Sequence, residues 1–182
     1  GTANKWDFKM KQLVKPITHA VLALGLAFSA NTMAAAPSKI LFGSCGHQDK
    51  DMPIFDTINK EQGDLFIFLG DNIYGDTNDM TVLANKYQKL GAKPGFKTLK
   101  ANTPIIAMWD DHDFGQNDIG KDYPHKEQSR QIMLDFWGEP KSSPRRTRTD
   151  GIYTSYMYGE DEQAVHVIMP DLRWNRDALN HV

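Results

Sequence analysis

One cysteine in 182 residues rules out an internal disulfide, so nothing covalent staples this chain. A net charge of −2 and the lack of any dense basic cluster give no electrostatic reason to expect a nucleic-acid or membrane-surface partner. No internal repeat and no low-complexity tract appears, which excludes a solenoid or a tail-like segment. No long hydrophobic run is present either. The most apolar stretch, Ala20–Phe28, has about ten apolar residues where a membrane-spanning helix needs about twenty. What the chain does have is four Trp and nine Phe, enough aromatic bulk for one domain with a real core.

Residues 1–9 read as a non-native leader, since the chain opens on Gly1. From Met10 the pattern is Lys11 and Lys15, then the Ala20–Phe28 apolar stretch, then the small residues Ala34-Ala35-Ala36. That order marks residues 10–35 as a secretory signal peptide and predicts a secreted or periplasmic protein. No twin-arginine pair and no lipoprotein box before Cys45 modifies the export route. The mature domain is then 36–182.

Within it, Lys39–Ser44, Leu65–Leu69 and Pro104–Trp109 are short apolar runs bounded by polar or small residues, the pattern of buried strands. Helical spacing separates them over Ile54–Lys60 and Met80–Leu90, with a shorter helix holding Phe96 and Leu99, and it returns over Ser129–Trp137. Strands alternating with helices predict an α/β unit with parallel pairing, whose ligands gather at the carboxyl ends of the strands. After a basic loop over Ser142–Arg148, Ile152–Tyr158 and Val165–Met169 alternate as an antiparallel hairpin does.

Each parallel strand runs straight into side chains that can bind a metal: Cys45 after the first, Asp71 and Tyr74 after the second, Asp111 and His112 after the third. Each has a plainer reading. Asp71 suits a cap or turn, and a lone Cys is usually a small buried hydrophobe. His112 suits a structural hydrogen bond, and Asp110–Asp113 suits a surface loop. Together they are harder to dismiss, because clustered carboxylates at a strand end are costly unless a cation or solvent neutralises them. Oxygen ligands alone would suit calcium, magnesium or manganese, whereas a thiolate with a phenolate favours a transition ion.

Phe42-Gly43-Ser44-Cys45, Leu69-Gly70-Asp71-Asn72-Ile73-Tyr74 and Trp109-Asp110-Asp111-His112-Asp113 resemble the PhoD-like alkaline phosphatases (alkaline phosphatase D), a branch of the metallophosphoesterases. Asp150-Gly151-Ile152-Tyr153 and Asp171-Leu172-Arg173-Trp174-Asn175-Arg176 follow in the family's order, so the likeness runs from about residue 38 to residue 176. The resemblance implies the N-terminal part of an α/β/β/α sandwich hydrolysing phosphate esters at a centre of ferric iron and calcium. It implies Cys45 and Tyr74 as iron ligands and Asp71 as the carboxylate shared by the metals. Asp111 stands at the family's second-metal position, with Asn117 as the alternative donor, and His112 is the acid–base or phosphoryl-stabilising residue. Asp113 is the expected orienter of His112. Arg145, Arg146 and Arg148 read as a solvated loop rather than a phosphate-attracting patch.

The His-containing motifs that complete such centres are not found downstream, where His166 and His181 stand without a motif. The expected chain is therefore a C-terminally truncated, N-terminal fragment with little activity of its own, leaving part of the sandwich core uncovered. Two other readings stay open. One is a secreted calcium-binding module using Asp71, Asp76, Asp79 and Asp110–Asp113. The other is a non-catalytic relative on the same fold.

Overall fold

Residues 35–179 are described by the structure, a computed structural model. The leader and signal segment, apart from Ala35, lie outside the described residues, as does His181.

Three short parallel strands form the central sheet: β1 (Ile40–Gly43), β2 (Leu65–Phe68) and β3 (Ile105–Ala107), in the order β1-β2-β3. Register pairs Phe42 with Ile67 and Ile67 with Ile106. The middle strand is buried along its whole length, which is why it reads as an unbroken apolar run. Parallel neighbours need a crossover. Helix α1 (Ile54–Glu61) supplies the first, and α2 (Met80–Ala92) with α3 (Pro94–Asn102) the second.

Pro94 separates α2 from α3 by opening the latter at its first turn, where its missing N–H costs nothing. Asp79 begins α2, its carboxylate accepting from the N–H groups of Thr81 (2.8 Å) and Val82 (3.2 Å). Phe66 and Phe68, two apart on β2, share one face of the sheet. There Phe68 packs against Phe96 of α3 and Trp137, which follows α5 (Lys126–Phe136).

A second, antiparallel sheet pairs β4 (Thr154–Tyr158) with β5 (Val165–Met169). Tyr156, Tyr158 and Val167 pack on the core, while Met157 and Ile168 on the other face are exposed. Phe42 of β1 is also open to solvent, at 69%.

The basic loop departs from its expected character. Arg145 and Arg146 lie in a 3₁₀ turn, Pro144–Arg146, and both are buried. Arg145 donates to the carbonyls of Ile152 (2.9 Å) and Ala107 (3.3 Å) and pairs with Glu139 (2.9 Å). Arg146 donates to the carbonyls of Pro140 and Glu139 and pairs with Asp135. These cations are neither solvated nor free to attract phosphate, because carbonyls and carboxylates of the surrounding segments consume their N–H groups. Arg148 is less enclosed: half-buried, it stacks on Tyr153 at 4.2 Å and donates to the Tyr153 carbonyl at 2.7 Å. Removing a buried partner strands the other charge, so Arg145→Ala should cost about 3–5 kcal/mol in denaturant unfolding. Arg148→Ala should cost less than about 1 kcal/mol.

Candidate metal centre

The sheet delivers its polar residues to one edge. Beyond the strands, the ladder continues through Leu69 N–H to Gly43 O (2.9 Å), Cys45 N–H to Gly70 O (3.3 Å) and Met108 N–H to Phe68 O (2.9 Å). The loops that carry Cys45, Asp71 and Asp111 therefore leave the sheet side by side. Cys45 (φ 59°) and Asp71 (φ 50°) both occupy the left-handed region, which turns their side chains out of the strand direction. Gly70 allows the β2 turn. Its φ is 114°, and a Cβ there would meet Asp110 N at 2.7 Å and Trp109 C at 2.9 Å.

The clustering is tight. Ligand atoms of Asp71, Asp111 and His112 all lie within 4.8 Å of one another. Cys45 joins from the other side, its Sγ 3.8 Å from Asp71 Oδ2. Asp71 Oδ1 meanwhile accepts the N–H of His112 at 3.3 Å, so the two oxygens of one carboxylate face different neighbours. The Tyr74 ring lies 4.3 Å from that of His112, centroid to centroid. Cys45 is exposed rather than a buried filler, and Asp71 caps no helix of its own. Asp110–Asp113 is no surface loop either, because Asp111–Phe114 forms a short helix, α4, with Asp111 and Asp113 buried.

Charge is distributed unevenly. Burial and the nearby Asp111 and Asp110 carboxylates push Asp71 above its ordinary pKa, against a smaller pull from His112. Burial presses Asp111 the same way, but the Asp118 N–H (2.6 Å) and Arg173 outweigh it and hold its pKa down. Burial, with Cys45 and Asp71 beside it, raises the Tyr74 phenol. A phenolate at this position therefore needs a strong cation beside it. Two carboxylates and an imidazole within reach of one another, with the Cys45 thiol 3.8 Å from Asp71, fit a transition ion better than an all-oxygen calcium cage.

Two partners differ from the expected ones. Asp113 does not orient His112. Its carboxylate is fully buried and accepts the N–H groups of Asp110 (2.7 Å), Asp71 (3.2 Å) and Asn72 (3.1 Å), with the Asn72 amide at 2.7 Å. Consecutive residues of a helical turn point about 100° apart, so Asp113 faces inward while His112 faces the cluster. The partner of His112 is Asp76, 2.7 Å from Nδ1, which leaves Nε2 for a substrate oxygen or a cation.

Arg173 is the residue that the sequence left without a role. Its Nε binds Asp110 at 2.5 Å and its Nη2 lies 3.5 Å from Asp111, placing a fixed positive charge behind the cluster. The Asp171–Arg176 motif contained it, but charge alone did not tell which strand end it would meet. Asp79 is occupied as a helix cap and Asp113 as a backbone acceptor, which removes two ligands of the calcium-module reading. Asn117 is exposed and its amide binds Asp118. His166 lies on the exposed face of β5, opposite Met157.

No family model matches this sequence, and no curated protein matches it. Among solved structures, the chain is similar to that of PhoD, with a TM-score of 0.62 at 17% identity. The match covers 80% of this chain and 33% of the PhoD chain, so this chain spans about a third of PhoD's length.

Burial lowers the pKa of His112, but its hydrogen bond to Asp76 and the charges of Asp76, Asp71 and Asp111 outweigh that and leave it raised. The proton gained on folding contributes stability that is full below the ordinary His range and is lost as pH rises through the folded value. In metal-free protein, Asp76→Asn should lower the His112 titration midpoint measured by NMR and shrink that pH dependence. Gly70→Ala should destabilise the fold by about 3 kcal/mol or more in denaturant unfolding, since left-handed strain and a backbone collision add. The arrangement that all of these residues serve is a metallophosphoesterase-type fold, like that of PhoD.

Proposed function

We propose that the chain carries metal-binding residues of a metal-dependent phosphoric ester hydrolase of the PhoD type, an alkaline phosphatase or phosphodiesterase. The observation that carries this reading is the convergence of Asp71, Asp111 and His112 from two adjacent parallel strand ends. In this reading Cys45, Tyr74 and Asp71 hold ferric iron, and Asp71 and Asp111 hold calcium. Metal ions held there would supply Lewis acidity toward phosphate oxygens and toward a water.

The chain's own groups do the rest. Asp71 offers its two oxygens to two sides. Arg173 and the Asp118 N–H keep Asp111 ionised and in place. Asp76 holds the proton at His112 Nδ1 and leaves Nε2 free, and in this reading Nε2 stabilises a phosphoryl oxygen or protonates the leaving alkoxide. The raised pKa of His112 suits that donor role, because the imidazolium persists nearer to neutral pH.

Export through the 10–35 segment puts the reaction in the periplasm or outside the cell, and 36–182 carries the site residues. No helix among the described residues is long and apolar enough to cross a membrane. The substrate is a small phosphate mono- or diester.

Metal analysis with a visible spectrum tests this reading. Iron-loaded protein should show a charge-transfer band that Tyr74→Phe removes or shifts and Cys45→Ser alters. Asp71→Ala should lower metal content by at least about tenfold, since it deletes the shared ligand. Calcium uptake without iron, indifferent to Cys45→Ser, would sink the phosphatase reading in favour of a calcium-binding module.

A further inference from the structure

Beside the cluster lies a cavity of about 420 Å³ whose inner wall is made by Cys45 and Tyr74. Met52, Pro53 and Ile54 supply its apolar side, and His47 completes it. The His47 ring stacks on Tyr74 at 4.8 Å with only 12° between planes, and Tyr74 in turn meets His112. An unbroken aromatic row therefore leads from the cavity to the carboxylate cluster. Cys45 Sγ, on the cavity wall, is 3.8 Å from Asp71 Oδ2, so cavity and cluster share that wall.

The loop that shapes the cavity is tied down. Asp49 pairs with Lys89 of α2 at 2.6 Å, Lys93 donates to the Lys50 carbonyl at 2.6 Å, and Gln48 accepts the Tyr74 N–H at 2.8 Å. Gly46 lets Met52 approach, since a Cβ at Gly46 would lie 2.9 Å from the Met52 terminal methyl. Ile54 opens α1 yet is 55% exposed, an apolar side chain left uncovered at the cavity. Lys50 and Asp51 both line the cavity with opposite charges, so it favours neither an anionic nor a cationic group. Preformed, with an apolar side, a polar one and aromatic rings on its wall, it is of a size that takes a small ring.

We propose that this cavity is the leaving-group subsite, and that it selects phosphate esters of planar aromatic alcohols over those of short aliphatic alcohols. The assignment rests on the phosphoester reading above. In this assignment the phosphate is held at the Asp71–Asp111–His112 cluster and its ester substituent passes Cys45 to rest on His47, Met52 and Ile54.

Isothermal titration of metal-loaded protein with phenyl phosphate, methyl phosphate and inorganic phosphate tests it. Phenyl phosphate should bind about tenfold more tightly than methyl phosphate, as part of one ring leaves water. Ile54→Asp should bring that ratio to within about twofold, and Ile54→Leu should keep it. Thermal unfolding of both variants checks that α1 is intact. Equal affinity for the two esters, or a ratio that Ile54→Asp leaves untouched, overturns the subsite while metal-dependent phosphate binding survives. If none of the three phosphates binds in a metal-dependent way, the subsite and the phosphoester reading fall together.

Discussion

The carboxylate of Asp113, fully out of contact with water, fixes how the ends of β2 and β3 meet. It gathers the backbone N–H groups of Asp110, Asp71 and Asn72, and the Asn72 amide reaches on to the Met108 carbonyl at 2.7 Å. Burying an unpaired carboxylate would cost several kcal/mol, so those donors are what make the position tolerable. Burial pushes the Asp113 carboxyl up, and the backbone donors pull against it. The result is a clamp across two strand ends, with Asp71 on one side and Asp111 on the other. Gly70, in its left-handed turn against Asp110, is the space that this clamp requires.

Electrostatics then divides the two clamped carboxylates. Asp111 is compensated within the protein by Arg173 and by a short N–H contact from Asp118. Asp71 has only the long His112 N–H contact and the Cys45 thiol at 3.8 Å, and it faces its neighbours' charge. A carboxylate with few internal donors and a raised pKa is the one that gains most from a cation. That asymmetry separates a group kept in place by the fold from a group left free to bind, and it arises from the segment around Arg173 rather than from the strands.

Much of this was legible in the sequence because buried parallel strands must be apolar on both faces, so their ends stand out wherever polarity begins. Cys45, Asp71 and Asp111-His112 were found that way, and the hairpin by its period of two. What was not legible depended on partners far along the chain. Asp76 meets His112 across 36 positions and Arg173 meets Asp110 across 63, and no local pattern encodes such meetings. Asp113 misled because adjacency in sequence suggested contact with His112, whereas the turn of α4 sends the two side chains apart. Arg145 and Arg146 misled in the opposite sense. A run of cations reads as solvated unless one knows that carbonyls of Ile152, Ala107, Pro140 and Glu139 converge on it.

In the proposed metal centre Asp71 is the shared carboxylate, and the placement of its oxygens bears on that proposal. Asp71 Oδ2 faces the Cys45 thiol, and Oδ1 faces the amino end of α4, where Asp111 and His112 begin. The one soft donor, the Cys45 thiol, lies with Oδ2, and Asp111 and His112 lie toward Oδ1. A thiolate on the first side would suit a transition ion rather than calcium or magnesium. The left-handed turn at Asp71 thus points its carboxylate between a thiol on one side and a carboxylate with an imidazole on the other. The Tyr74 phenol sets a further condition. Its pKa is raised by burial, Cys45 and Asp71, so only an ion of high charge would hold it as a phenolate at neutral pH.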